Sequence, residues 1–333
     1  DMQTEWYAKH GAKAAAVSER GEVFGEGWQK YKDAPMKPTA YGCQSSQIWI
    51  DRLLELALLI QQLGADGIIY DQLGSADPMF SFSQQHNHAH PALAIGPGAA
   101  ANLERIRAHM RQIDPEFIIM TEHVTDGVNR CVDLTHGCGT GFAPGGRAFP
   151  EMLRFTFPEL PCTQRHPTPI LDAATANWAC LYGFHYEVEY RYLPDRLYAE
   201  QGVVPALRDY ARVINRPDVR LMQRTDPRAA HAYLKRLAAF GRRNADLLRE
   251  GQFVDVEGFS CPNPALVAKG FSNGQEFGVL VWNPGEQEQA VVASVPGASL
   301  RRVDSPEGKV DAVAPLAPGA IRLLRYSRKP LDA

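Results

Sequence analysis

Two acidic residues stand where paired acid–base chemistry would need them. Asp71 closes the run Gly67-Ile68-Ile69-Tyr70, and Glu122 closes Ile118-Ile119-Met120-Thr121. Each run is short, apolar and partly β-branched, as a buried parallel strand is. In parallel α/β folds the working residues gather at the carboxyl ends of the strands. Two carboxyl groups at the ends of neighbouring strands would converge. Such a pair can split a glycosidic bond: one acid protonates the leaving oxygen, and the other attacks the anomeric carbon or activates water. Strand-end acids also satisfy loop backbones or pair with arginines, so a purely structural reading stands beside the catalytic one.

The stretch His86-Asn87-His88-Ala89-His90 follows the first strand. Alternate histidines on extended backbone share one side. They can donate hydrogen bonds to sugar hydroxyls, bind a divalent ion with Asp71 or Asp77 as a further ligand, or simply face solvent. His123 adjoins Glu122, and His136 follows Asp133-Leu134-Thr135. Either could flank the acids, although strand neighbours face opposite ways. Arg154, near Glu159, could orient a carboxylate bidentately or close a structural ion pair. Tyr70, Trp28, Trp49 and Trp178 could stack on sugar rings, though most aromatics are core.

These residues need elements to hold them. Residues 45–63 predict a helix, capped by Ser45 or Ser46, with Ile48, Trp49, Leu53, Leu56, Ile60 and Leu63 at helical spacing and Gly64 at its end. Residues 98–113 predict a second helix, with Leu103, Ile106, Met110 and Ile113 on one face. Short strands are expected at 131–134 and 152–157, mixed structure over 170–192 and 203–215, and one long helix over 227–249. Strand, loop and helix alternate, which marks parallel βα units; an open doubly wound sheet and a (β/α)8 barrel both fit. After Gly251 the texture changes to short β-rich runs, among them Ala290–Val295, and Asn273-Gly274 is a hairpin signal. Residues 252–333 are expected to form a small antiparallel β-sandwich. Residues 1–42 read as a long irregular segment.

Composition narrows the function classes. With 35 basic and 38 acidic residues in 333, the formal net charge is -3. No basic excess favours nucleic acid. No apolar run reaches the ~18 residues of a membrane span. Six cysteines without a Cys-x-x-Cys pair argue against zinc ribbons and thioredoxin chemistry; free thiols are expected, with Cys131 and Cys138 the nearest pair. Gly137-Cys138-Gly139-Thr140-Gly141 lacks the Lys-Ser/Thr of a phosphate loop, and no Gly-x-Ser-x-Gly elbow occurs.

From Gly64-Ala65-Asp66-Gly67 to Tyr70-Asp71-Gln72 the chain resembles an uncharacterised family of the glycoside-hydrolase-type TIM-barrel superfamily. The resemblance extends to the His/Gly/Pro-rich loop from His86 to Gly98, to Thr121-Glu122, and to Arg154-Phe155-Thr156-Phe157-Pro158-Glu159. It implies a (β/α)8 barrel over residues 1–250, with a C-terminal β-sandwich after it. Asp71 would be the nucleophile or base and Glu122 the general acid/base. Tyr70, Gln72, His88, His90, His123 and Arg154 would contact a carbohydrate substrate, with no cofactor and no metal. Export to the periplasm or beyond is common among such relatives. Only four or five strands are legible where a barrel has eight. The first strands are therefore expected upstream of Asp1, or the barrel closes unusually, or a second chain completes it. The alternatives are a carbohydrate-binding protein without turnover and a metal-dependent hydrolase or lyase built on His86, His88 and His90.

Overall fold

The computed structural model describes residues 1–333 apart from 75–79, 124, 137–149, 167–172, 189, 215–216 and 329–333. The signals at Asp77 and Gly137–Gly141, Cys138 among them, lie outside the described residues. The chain divides into two compact units. One comprises Asp1–Gly137 with Arg208–Arg216, the other Cys138–Leu207 with Pro217–Ala333.

The first unit opens with helical turns over residues 7–14 and an antiparallel hairpin, β1 (Gly25–Trp28) with β2 (Lys37–Ala40), in the stretch expected to be irregular. Helix α1 (Gln47–Gln62) follows, and Ser46 precedes it without a side-chain cap. Its buried stripe is Ile50, Leu53 and Ala57, so the apolar face is rotated from the expected one and Leu63 is exposed. Strands β3 (Gly67–Tyr70), β4 (Ile118–Glu122) and β5 (Leu134–His136) run parallel. Between β3 and β4 lies helix α2 (Gly96–Ile113), which buries Leu103, Ile106 and Met110 but leaves Ile113 exposed.

The strand spacing follows from residue size. A Cβ at Gly67 would meet the Ile118 carbonyl oxygen at 2.5 Å, so only glycine lets β3 lie this close to β4. Alternation then sorts the faces. Tyr70, Ile119 and Thr121 are buried on one, where the Tyr70 hydroxyl donates to the Leu53 carbonyl of α1 at 2.7 Å. Ile69 and Ile118 occupy the other, 47% and 43% exposed; in a closed barrel that face would be the interior. Asp133 ties β4 to the chain entering β5: its Oδ2 accepts from the Ile119 N–H at 2.9 Å, while Arg111 donates to Oδ1 at 2.5 Å. The strand expected at 131–134 therefore begins three residues later, because Cys131, Val132 and Asp133 form the buried turn that makes this tie.

The second unit holds helix α3 (Pro150–Thr156), parallel strands β6 (Cys162–His166) and β7 (His185–Val188) around helix α4 (Ala173–Leu181), then helices α5 (Leu193–Gln201) and α6 (Pro227–Arg243). The strand expected at 152–157 is thus a helix, started by a proline in its first turn. The long helix expected over 227–249 breaks at Asn244, whose fully buried amide donates to the Phe240 carbonyl at 3.0 Å and to Asp304 at 2.9 Å. Asp226 caps its start, accepting from the Arg228 N–H at 2.9 Å.

The chain ends in a six-stranded antiparallel sheet. Its strands are β8 (Gln252–Asp255), β9 (Val267–Ser272), β10 (Glu276–Trp282), β11 (Ala298–Ser305), β12 (Gly308–Lys309) and β13 (Ile321–Arg328), in the order β12-β11-β13-β10-β9-β8. β10 is buried on both faces: Phe277, Val279 and Val281 enter an apolar core with Leu324 and Tyr326, while Leu247 packs over Gly278. The hairpin before it turns one residue later than Asn-Gly pairing predicts. Gly274 takes the left-handed conformation, and the Asn273 carboxamide oxygen accepts the Gln275 and Glu276 N–H groups. Ala290–Val295 forms no strand; it makes one β-bridge, Ser294 to Ser260, and the Tyr326 hydroxyl donates to its Ala293 carbonyl at 2.7 Å. All five described cysteines are free thiols. No helix among the described residues is long and apolar enough to cross a membrane.

Buried ions join this sheet to the helices. The Asp304 side chain, fully enclosed, accepts from Arg302 at 2.8 Å, Asn244 at 2.9 Å and Arg243 at 3.3 Å. Burial pushes its carboxyl up, but those three donors outweigh it and hold the group below the usual aspartate range. A depressed folded value stabilises the fold above the ordinary carboxyl range, and that stabilisation is lost as pH falls through the folded value. Asp304→Asn should therefore cost about 2–3 kcal/mol at neutral pH, less than a wholly buried pair because Arg243 is partly solvated. Urea titrations of both proteins should show that difference constant above roughly pH 5 and shrinking at lower pH.

Candidate active site

The register of the three parallel strands puts a row of candidate side chains at one level. Tyr70 pairs with Thr121, so Asp71 and Glu122 are the next residues along β3 and β4, and Glu122 pairs with His136 on β5. Alternation assigns Asp71 and Glu122 to the face of Ile69 and Ile118, opposite the helix-packed face of Tyr70 and Thr121. Asp71 is exposed, whereas Glu122 is 8% and His136 2% exposed. His136 belongs to the row as fully as the acids do; the sequence marked it only as a flank.

Backbone geometry tightens this row. Gln72 has φ 59° and His123 has φ 69°, so each acid is followed immediately by a non-glycine residue in the left-handed region. Asp255 is the only other such residue among those described. At His123 the twist ends strand alternation and turns the imidazole back, placing Nε2 3.8 Å from Glu122 Oε2. The expectation that strand neighbours must face apart fails here because His123 is not in a strand conformation. Its N–H donates to the His136 carbonyl at 2.9 Å, and the Thr135 hydroxyl donates to its carbonyl at 2.7 Å. Beyond Asp71 the turn passes over the end of β4. A Cβ at Gly74 would collide with the Glu122 carbonyl oxygen, so this turn and that strand end are in backbone contact.

The other expected site residues separate. Tyr70 is buried and anchors β3 on α1; burial raises its phenol well above the usual range. Gln72 is exposed beside Asp71. Arg154 lies in the second unit on a helix rather than at a strand end. It is 3% exposed and donates to the Leu160 carbonyl at 3.4 Å, and burial lowers its pKa.

The histidine run is bent, not extended: the His88 N–H donates to the His86 carbonyl at 2.9 Å. His86 and His88 face one another with ring centroids 6.1 Å apart, while His90 turns away and accepts the Ala92 N–H at 3.2 Å. The third member of the cluster is Cys43, which the sequence offered no reason to place there. Its Sγ and one nitrogen of each imidazole all lie within 4.8 Å of one another. The Cys43 side chain beside it raises the His86 pKa. Burial alone would raise the Cys43 thiol, but His86, the Ser45 backbone and Ser81 around it bring it below the ordinary value.

A cavity of about 450 Å³ lies in the second unit among Ala176, Phe184, His185, Leu234 and Leu237. None of the expected site residues lines it. We take the strand-end row as the candidate site because it combines acids, a histidine and constrained backbone, whereas the cavity is mostly apolar.

No protein-family model and no curated protein matches the sequence. Solved structures do match. A trehalose-6-phosphate hydrolase from Bacillus licheniformis aligns with 98% of this chain and 82% of its own (TM-score 0.57, 9% identity). An isomaltulose synthase from Protaminobacter rubrum aligns over 98% and 81% (0.56, 13%). A maltogenic α-amylase from Thermotoga neapolitana aligns over 97% and 72% (0.55, 10%). At these identities the likeness shows the fold: an amylase-type barrel, present in part, followed by a C-terminal β domain.

The geometry separates Tyr70 from the acids. Tyr70→Phe should lower stability by about 1–2 kcal/mol, because it leaves the Leu53 carbonyl without its donor. Denaturant midpoints should record that loss, with the ligand affinity of the folded protein unchanged.

Proposed function

We propose that the chain is a glycoside hydrolase in which Asp71 and Glu122 act as a carboxylic pair on an oligo- or polysaccharide. The observation that carries this reading is their position at one level on adjacent parallel strands, each followed by a left-handed non-glycine residue. Strained backbone of this kind costs of order 1–3 kcal/mol and clusters at functional sites. The fold is one on which glycosidases are built, which supports the reading without identifying a substrate.

The two environments divide the labour. An enclosed carboxylic acid suits proton donation to the leaving oxygen, and an exposed carboxylate suits attack on the anomeric carbon. Glu122, enclosed between β3 and β5, takes the first role and Asp71 the second. His123, at 3.8 Å from Glu122, and His136 beside it can hold the proton donor in place or bind hydroxyls around the reacting ring. Gln72 is placed to bind the same sugar. Attack by Asp71 forms a glycosyl ester and expels the alcohol protonated by Glu122. Water then cleaves the ester as Glu122 takes its proton, with net retention of configuration.

The test is a panel of aryl glycosides and oligosaccharides assayed with the wild-type chain, Asp71→Asn and Glu122→Gln. Each variant should lose roughly 10³-fold or more in kcat/KM while keeping its circular dichroism spectrum. For Glu122→Gln the loss should shrink with aryl leaving groups that need no protonation. Proton NMR of the first-formed sugar should show the starting anomeric configuration. Equal turnover by wild type and Asp71→Asn would reject the pair; sugar binding without turnover in the wild-type chain would make the protein a lectin-like binder instead.

A further inference from the structure

The Cys43–His86–His88 cluster has the features of a metal centre, and no step of the proposed hydrolysis uses it. Cys43 is fully buried, and both histidines are half-buried. The His86 Nε2 is 2.9 Å from the Lys13 carbonyl oxygen, which can only accept, so Nε2 carries the proton and Nδ1 is left as a bare acceptor. That Nδ1 is enclosed and has no hydrogen-bond partner among the described residues. The same holds for His88 Nε2. Two enclosed imidazole nitrogens without partners, facing one enclosed sulfur, are costly as they stand. A cation between them satisfies all three. The carbonyl behind His86 is the outer partner that metal-bound imidazoles characteristically have.

We propose that Cys43, His86 and His88 bind zinc, with a fourth position left to water. One thiolate and two imidazoles are a borderline-soft donor set that suits zinc over calcium or magnesium. In a tetrahedral site such atoms sit roughly 3.4–3.6 Å apart. The present atoms lie within 4.8 Å of one another, so the cluster contracts when the ion binds. On binding, the sulfur–metal bond replaces the S–H bond and the proton leaves to buffer, about one per ion. The ion would clamp the segment that leaves β3 beyond Asp71 onto the N-terminal part of the unit. Asn87 N–H to the Ser45 carbonyl at 3.0 Å and Phe82 N–H to the Val17 carbonyl at 2.9 Å already join the same stretches. This role is independent of the hydrolytic reading.

The experiment uses the whole chain, stripped of metal and titrated with Co²⁺ as a coloured stand-in for zinc. About one equivalent should produce a thiolate-to-cobalt charge-transfer band with visible bands of tetrahedral intensity, and Zn²⁺ should bleach both. Cys43→Ser should abolish the charge-transfer band. His88→Gln, at a less enclosed position, should keep that band and weaken zinc binding at least tenfold, with an unaltered fold by circular dichroism. Zinc should raise the melting temperature of the wild type and not of Cys43→Ser. A cobalt spectrum without thiolate character, or zinc affinity unchanged in both variants, overturns the proposal. Glu122→Gln should bind zinc as the wild type does, so loss of hydrolysis and loss of metal are read separately.

Discussion

The candidate site depends on how closely β3 and β4 approach. Glycine at 67 lets the two strands lie together, and glycine at 74 lets the following turn cross the end of β4. Between those two points stand Tyr70 and Asp71, so the position of the first acid is set by backbone contacts on either side of it. The Tyr70 hydroxyl then fixes the rotation of β3 against α1, and the Thr121 hydroxyl bonds back to the Tyr70 carbonyl at 3.2 Å. A row of three functional side chains results from hydrogen bonds and missing methyl groups none of which belongs to those side chains.

Charged side chains are matched by several partners in both units. In the second, buried ions are matched many to one: Asp304 with two arginines and an asparagine, Arg325 with Asp246 and Glu276, Lys269 with Glu151 and Asp255. Each network ties a sheet strand to a helix or a neighbouring loop, and the enclosed charge at its centre meets more than one partner, which offsets the cost of enclosing it. In the first unit Asp133 is held by Arg107 and Arg111, Glu122 has His123 near it, and the enclosed side-chain atoms without a partner include imidazole nitrogens of His86 and His88 beside Cys43.

Much of this arrangement was legible in residue types. The apolar runs before both acids read correctly as parallel strands, whereas the close approach that Gly67 and Gly74 permit shows only in the folded chain. The misreadings have identifiable causes. Met152–Phe157 carries aromatic and β-branched residues that favour a strand, but Pro150 and the packing of Leu153 and Arg154 make it helical. Ala290–Val295 is a β-rich run, yet its one β-bridge is to Ser260. Histidine spacing promised three side chains on one side; the bend at His88 keeps two together and sends His90 to cap its own turn. Cys43 was beyond reach because its neighbours come from a distant stretch of chain, and nothing in a one-dimensional reading links them.

The left-handed residues at 72 and 123 have an implication for how such a chain could change. Glycine would adopt either conformation without the steric penalty of a Cβ, and asparagine at a smaller one than glutamine or histidine. A lineage selected for heat resistance alone would drift toward those residues at both positions. Persistence of larger side chains there would then mark a trade, in which the molecule forgoes rigidity it could readily have in order to keep an amide and an imidazole beside its acids.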